Sequence, residues 1–358
     1  MNHQAVKSDL EIVELAPSNG YQRLLHGRDK SCGLEALISV HSTKFGPAAG
    51  GCRMWPFASV KDAIIDVERL SRGMTYKNIA ANLPLGGGKA VIIGNPRLDK
   101  TEQLLRSFGR FVDHLNGTYY TAEDVGVSPA DMEMAASETP YVVGLASGEF
   151  ASGDPSPVTA RGVLLCLERA LVHQGGDGNL AGVRVAIQGL GHVGMVFAQY
   201  LYERGAILTL SDINPGLSAE AAKKFNAKIV GLDEIYDADV DVFAPCALGG
   251  ILTPQIISRL KANIVLGAAN NQLANPDCGA LLHQAGILYA PDYVVNGGGI
   301  VNVATEILAI DDPSWANARV KGLADTLETI LDRAKASDTP TNIVADLMIE
   351  AKLESANV

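Results

Sequence analysis

Three side chains carry most of the chemistry legible in this chain: Lys77, Lys89 and Asp124. The lysines bracket a stretch, Lys77-Asn78-Ile79-Ala80-Ala81-Asn82-Leu83-Pro84-Leu85-Gly86-Gly87-Gly88-Lys89, that closes on a run of glycines. Cations beside glycines, where backbone and ligand can approach closely, suit an anionic substrate, and they suit a solvated loop as well. A lysine partly desolvated near another cation has a lowered pKa and can transfer protons near neutral pH. The run is not a nucleotide P-loop: the first glycine of that spacing would fall at Leu83, and Ala90 cannot ligate magnesium. Asp124, among Ala122, Val125 and Gly126, is either paired, functional, or a cap ahead of the helix that starts near Ser128. The histidines form no metal constellation, and neither His-Glu-x-x-His nor Gly-x-Ser-x-Gly occurs, so no metal site is expected.

The elements that must position these groups follow from periodicity. Ser59 and Asp62 form a capping pair for a helix whose Ile64, Val67, Leu70 and Met74 fall at helical spacing, delivering Lys77 at or just beyond its end. Ala90-Val91-Ile92-Ile93 reads as a buried strand, which places Lys89 at a loop-to-strand junction. Thr101 caps a helix with Leu104, Leu105, Phe108, Phe111, Val112 and Leu115 as its core face, and Gly117 as its stop. The segment from Ala146 to Pro157, rich in glycine, serine and proline, is the expected hinge.

Beyond the hinge, Arg184-Val185-Ala186-Ile187-Gln188 reads as a strand, followed by Gly189-Leu190-Gly191-His192-Val193-Gly194 and a helix to Gly205. A second strand, Ile207 to Leu210, leads to Asp212, roughly 20 residues past the glycines. Strand, glycine turn, helix, strand and acid occur in the order a dinucleotide needs, the pyrophosphate resting on the helix N-terminus. Asp212 would accept hydrogen bonds from the ribose hydroxyls and repel a 2′-phosphate, which favours NAD over NADP. His192 is a spacer in the turn rather than a catalyst. Strand candidates at Val242 to Ala244, Ile264 to Leu266 and Ile287 to Tyr289 complete an open parallel sheet.

Composition bounds the rest. At 358 residues with 47% hydrophobic and 19% charged residues, the chain reads as a two-domain α/β protein. A net charge of -11 argues against nucleic acid as the main partner. The N-terminus lacks the apolar core of a signal peptide and no run is long enough for a membrane span, so the cytoplasm is expected. Five scattered cysteines indicate neither a disulfide framework nor a zinc site.

Several segments, in order, resemble the amino-acid dehydrogenases of the leucine, phenylalanine and valine branch of the glutamate dehydrogenase superfamily, leucine dehydrogenases most. They include Gly46-Pro47-Ala48-Ala49-Gly50-Gly51-Cys52-Arg53-Met54-Trp55, Met74-Thr75-Tyr76-Lys77-Asn78, Thr121-Ala122-Glu123-Asp124-Val125-Gly126 and Ala268-Ala269-Asn270-Asn271-Gln272-Leu273. The resemblance implies an N-terminal α/β substrate domain over 1–147 and a Rossmann-type, doubly wound nucleotide domain over 148–330, with the active site in the cleft between them. A C-terminal helix over 331–358 would pack back on the first domain. It implies reversible, NAD-dependent oxidative deamination of an apolar L-amino acid to a 2-oxo acid and ammonia, by a homo-oligomer of two or more copies. Lys77 would pair with the substrate carboxylate, Lys89 would activate water and stabilise charge on oxygen, and Asp124 would handle protons at the amino group. Gly50, Gly51 and Met74 would border the substrate, Thr159 and Asn270 the nicotinamide, and Ala49, Ala122, Ile300 and Val303 the side-chain pocket. A leucine, valine or isoleucine type of substrate is expected; phenylalanine or tryptophan is the alternative, because Ala49 replaces a larger leucine common in leucine dehydrogenases. A non-catalytic NAD-binding regulator is the remote alternative. The triple glycine is expected to make room for substrate and cofactor.

Overall fold

Apolar alternation and glycine breaks divide the chain between two sheets, seen in a computed structural model that describes residues 9–145 and 153–356. Part of the expected hinge, 146–152, lies outside the described residues. The first half contains β1 (Leu10–Leu15), β2 (Arg23–Asp29), β3 (Leu34–Ser42), β4 (Ala48–Ala49), β5 (Cys52–Trp55), α1 (Val60–Ala80), β6 (Gly86–Ile93), α2 (Glu102–Asp113), β7 (Tyr119–Tyr120) and α3 (Pro129–Ala136). Its sheet runs β1-β2-β3-β6-β4-β7, with β5 also paired to β6. The β1-β2-β3-β6 pairs are antiparallel, whereas β4 and β5 lie parallel to β6. α2 buries all six residues of its predicted apolar face against one side of this sheet, and Thr101 caps it. α1 covers the other side, with Ala63 and Val67 packed on Leu24, Leu37 and Val91.

The second half contains α4 (Ser156–His173), β8 (Arg184–Gln188), α5 (His192–Glu203), β9 (Ile207–Ser211), α6 (Pro215–Phe225), β10 (Lys228–Ile229), β11 (Val242–Pro245), α7 (Pro254–Ile257), β12 (Ile264–Val265), α8 (Asp277–Gln284), β13 (Leu288–Tyr289), α9 (Asp292–Val295), α10 (Gly298–Ile307), α11 (Pro313–Ser337) and α12 (Thr341–Ser355). Its sheet is parallel throughout in the order β10-β9-β8-β11-β12-β13, a doubly wound arrangement. Helices cover both faces, so the strands read as apolar runs rather than alternating ones.

One apolar core continues from the end of α1 (Tyr76, Ile79) through Leu83 and Leu85 to α4 and α11 (Ala160, Leu164, Leu323, Leu327). The single C-terminal helix expected over 331–358 is instead the end of α11 and a separate α12. Asp338 adopts a left-handed φ of 49° and Pro340 follows, which ends the first helix and restarts the chain. α12 then reaches α1: Arg72 and Tyr76 bond Glu350 at 3.0 and 2.7 Å, and Lys352 bonds Asn82 at 3.0 Å. No helix among the described residues is long and apolar enough to cross a membrane.

Candidate active site

α1 starts where the Ser59 side chain accepts from the Asp62 amide, and it ends beyond Lys77, which lies in its last turn. From there the structure departs from the sequence reading. β6 begins at Gly86, so the glycines are strand, and Lys89 is its fourth residue rather than a loop junction. Room for ligand does not explain them. A Cβ on Gly87 would collide with the Thr75 backbone on α1, one on Gly88 would press into the Tyr119 ring at 2.6 Å, and one on Gly86 would strike the Ser42 carbonyl. The glycines let α1 and the neighbouring strands close on β6. That close packing fixes Lys89, which is buried opposite Ser39 with 6% of its surface exposed.

Asp124 meets Lys89 at once: Oδ2 lies 2.9 Å from Nζ. Arg53 on β5 approaches the same oxygen, with Nε at 3.5 Å, while its Nη1 donates to Asp66 at 2.9 Å. Arg53 pairs with Val91 in the parallel β5–β6 register, two residues along from Lys89, which puts both cations on one face. Burial alone would raise the Asp124 carboxyl, but Lys89 and then Arg53 outweigh it and hold it below the ordinary range.

Lys77 Nζ donates to Asn270 Oδ1 at 2.9 Å, reaching from the first sheet's helix to the second half of the chain. The same oxygen accepts from Asn296 Nδ2 at 2.8 Å. Burial lowers the Lys77 pKa to about 8; Asp292 opposes the shift and Lys89 adds to it. Asp292 is itself raised by burial, although its oxygens accept from the Asn271 amide at 2.7 Å and the Tyr289 hydroxyl at 3.0 Å. Asn296, only 4% exposed, leaves its buried Oδ1 without a partner among the described residues.

These groups surround a cleft of about 420 Å³. Every residue predicted to touch substrate lines it: Lys77, Lys89, Asp124, Gly50, Gly51, Met74, Ala49, Ala122, Ile300 and Val303. So do Thr159, Asn270 and Val193. The rest of the glycine turn, Gly189, Leu190, Gly191, His192 and Gly194, together with Asp212, lies outside the cleft lining, along the C-terminal ends of β8 and β9. There the Leu190 amide donates to Asp212 Oδ2 at 2.7 Å, tying the turn to the acid. Gly189 has a φ of 98°, and a Cβ on it would press on Ala247 at 2.7 Å. Around Gly191, by contrast, a Cβ would meet nothing within 4 Å, and α5 starts there with no side-chain cap. Free amides facing open space are what a pyrophosphate requires, so the residues present fit a dinucleotide.

Sequence reasoning missed Arg53, Asp292 and Asn296 as site residues, along with Leu70, Val143 and Gly144 in the cleft wall. A signal existed for Arg53, a charge between buried Cys52 and Met54 on a strand inside the sheet. It also missed Ile213 and Leu248, which stand 84% and 80% exposed just past the ends of β9 and β11, flanking the glycine turn.

Comparison with known proteins agrees with this layout. Residues 24–141 match the family model described as Glu/Leu/Phe/Val dehydrogenase, dimerisation domain, and 152–222 and 216–337 match the one described as Glutamate/Leucine/Phenylalanine/Valine dehydrogenase. The chain belongs to this dehydrogenase family. It is 45% identical to a leucine dehydrogenase of Geobacillus stearothermophilus, over 97% of this chain and 94% of that one. It is 42% identical to the L-tryptophan dehydrogenase of Nostoc punctiforme over 96% and 97% of the two chains. The crystal structure of L-tryptophan dehydrogenase from Nostoc punctiforme superposes with a TM-score of 0.83, covering 94% of this chain and 97% of that one. A hetero-hexameric glutamate dehydrogenase from Thermus thermophilus, 22% identical, shares the fold with a TM-score of 0.75, covering 97% of this chain and 88% of that one. The cleft is lined from both halves of the chain, the first match contributing Lys77, Lys89 and Asp124 and the second Asn270, Asn296 and Ile300.

Proposed function

We propose that this protein catalyses NAD-dependent, reversible oxidative deamination of an apolar L-amino acid of the leucine, valine or isoleucine type, yielding the 2-oxo acid and ammonia. The observation that carries this reading is the convergence of Lys77, Lys89 and Asp124 on one cleft, part of whose wall is the apolar set Ala49, Ala122, Val143, Ile300 and Val303, and which reaches Val193 of the glycine turn. The similarity to leucine dehydrogenases supports the substrate class. Bound NAD would supply a hydride acceptor at the nicotinamide, with Gly189 to Gly194 holding the pyrophosphate, Asp212 the ribose, and Thr159 and Asn270 the nicotinamide end. Ile213 and Leu248 would flank the adenine.

Lys77 would exchange its Asn270 bond for the substrate carboxylate, an anion that relieves the cost of holding this ammonium in the cleft. Asp124, ionised under Lys89 and Arg53, would take a proton from the substrate ammonium, so that the neutral amine can lose hydride from the α-carbon and become an iminium ion. Once Asp124 is protonated and its ion pair with Lys89 is undone, Lys89 would give its proton to solvent, then remove a proton from the attacking water and, protonated again, stabilise the oxygen of the carbinolamine. Asp124 would return its proton to nitrogen as the C–N bond breaks, and the hydroxyl proton of the carbinolamine would pass to the departing ammonia, leaving the 2-oxo acid and ammonium. Arg53 would act by positioning Asp124 and keeping it charged.

Around the side chain, Ala49, Ala122, Val143, Ile300 and Val303 offer no charge, so a substrate carboxylate there would lose its hydration uncompensated. An aromatic substrate is the second reading, favoured by the small Ala49 in the cleft wall. We further propose the division into a substrate domain over 1–147 and a nucleotide domain over 148–330, and a homo-oligomer, which the dimerisation-domain match supports. NAD reduction across leucine, valine, isoleucine, phenylalanine, tryptophan and glutamate tests the reading. Aliphatic substrates should lead and glutamate should be inert; turnover with glutamate alone, or with none of them, overturns it.

A further inference from the structure

Gly73 lies exposed in the interior of α1, and a Cβ placed on it would meet no atom within 4 Å. A glycine there weakens the helix relative to alanine, because it loses more backbone freedom on folding. Neither close packing nor a left-handed φ accounts for it. What distinguishes the position is that it lines two cavities at once. One is the catalytic cleft; the other, about 450 Å³ and open to solvent, lies along the adjacent face of α1 beneath Tyr21, Glu68, Tyr76 and Asp346. Arg69 and Tyr293 border both as well.

Four charged side chains line the second cavity: Arg69, Arg72, Glu68 and Asp346. Its arginines are already engaged, Arg72 by Glu350 at 3.0 Å and Arg69 by Asp66 at 2.8 Å. Glu68, 6% exposed, accepts only from the Ser18 amide and hydroxyl, at 2.8 and 2.6 Å. Asp346 accepts from the Tyr293 hydroxyl at 2.9 Å. Neither carboxylate forms an ion pair among the described residues, and tyrosine rings make up much of the remaining wall. Arg72 covers the Tyr76 ring at 4.7 Å and its charge reaches Asp346; carboxylates out of contact with a counter-ion, beside the further rings of Tyr21 and Tyr293, attract a small cation.

We propose that Gly73 keeps open a passage between the cleft and this second cavity, and that the passage carries ammonium, drawn by Glu68 and Asp346, between solvent and the substrate α-carbon. This rests on the deamination reading. Of that reaction's participants that must enter or leave, the 2-oxo acid and the dinucleotide are anions. Ammonia released by C–N cleavage takes up a proton and departs as a cation; in reverse, ammonium must shed that proton before attacking the carbonyl.

The test is reductive amination by the full-length protein, with ammonium chloride varied at saturating 2-oxo acid and NADH. In Gly73→Leu, and in the Glu68→Gln/Asp346→Asn double variant, kcat/KM for ammonium should fall about ten-fold, the low end of electrostatic steering effects. KM for the 2-oxo acid and for NADH should stay within about two-fold. The wild-type decline of kcat/KM for ammonium with ionic strength should flatten in the double variant. Gly73→Ala should melt at or above the wild-type temperature; a lower melting point returns the glycine to a structural role and overturns the passage. Unchanged ammonium kinetics in both blocking variants, or a 2-oxo acid KM that moves in parallel, also overturns it. Should wild type oxidise no NADH on ammonium addition, the deamination reading falls and the passage falls with it, a result distinct from the others.

Discussion

Replacing Lys77 by methionine should make the protein more stable and a worse enzyme. The ammonium of Lys77 titrates at about 8 instead of 10.5 because burial opposes its charge. A shift of that size corresponds to roughly 3 kcal/mol. Solvent in the open cleft and the lost attraction to Asp292 should reduce the recoverable part to about 1–2 kcal/mol. No acceptor is orphaned by the change, since Asn270 Oδ1 still receives Asn296. Tm should therefore rise by about 2–4 °C per kcal/mol at pH 7. The sign with pH follows from the lowered native pKa. Below about pH 8 both folded and unfolded lysines are protonated and the full penalty is present. Between about 8 and 10.5 the native lysine gives up its proton while the unfolded one keeps it, so wild-type stability rises toward the variant's and the gap closes. Meanwhile KM for the amino acid should rise about 10- to 100-fold at pH 7, the loss of a hydrogen bond to a charged group. Urea melts at pH 7 and pH 10, with initial rates at pH 7, decide the matter. A variant that melts lower at pH 7, a gap that ignores pH, or an unchanged KM would refute the reasoning.

Lys89→Ala and Asp124→Asn should each lower kcat by about 10²–10⁴, the range for removing a general acid or base, with NADH affinity retained by fluorescence titration. Arg53→Met should shift the acidic limb of the kcat/KM profile toward higher pH, because Asp124 loses a cation that lowers its pKa, whereas Arg53→Lys should restore part of the shift. A superimposable profile would remove Arg53 from the site. Gly87→Ala should destabilise the fold by more than about 2 kcal/mol in denaturant melts, since its methyl meets the α1 backbone rather than open space. Ala49→Leu should move the ratio of kcat/KM between aliphatic and aromatic substrates toward the aliphatic by about 1–3 kcal/mol.

The parts of this architecture that rest on local pattern could be read in advance. The α2 face, the Ser59 and Thr101 caps, and the strand-turn-helix-strand unit ending at Asp212 all depend on nearest neighbours, and the structure has them where periodicity puts them. Gly86 to Gly88 could not be read that way. Glycine permits loop and strand alike, and only the approach of Thr75, Ser42 and Tyr119 from elsewhere in the chain decides between them. Arg53 and Asn296 escaped for the same reason, since their partners at Asp124 and Asn270 are brought close by strand order and not by spacing. The break at Asp338 turned on a single left-handed residue, which aspartate signals only weakly.

The bond from Lys77 to Asn270 gives substrate binding the character of a ligand exchange. The cation is not bare: it donates to a neutral acceptor belonging to the opposite half of the molecule. In the proposed reaction an incoming carboxylate would trade places with that amide, so one direct link between the halves would be surrendered and replaced by a link that runs through the substrate itself. Asn270, handed back, still holds Asn296 and is free to serve another partner. Occupancy of the site would thus be registered as a change in what joins the two halves, and a substrate lacking its carboxylate could fill the apolar wall without ever making that exchange.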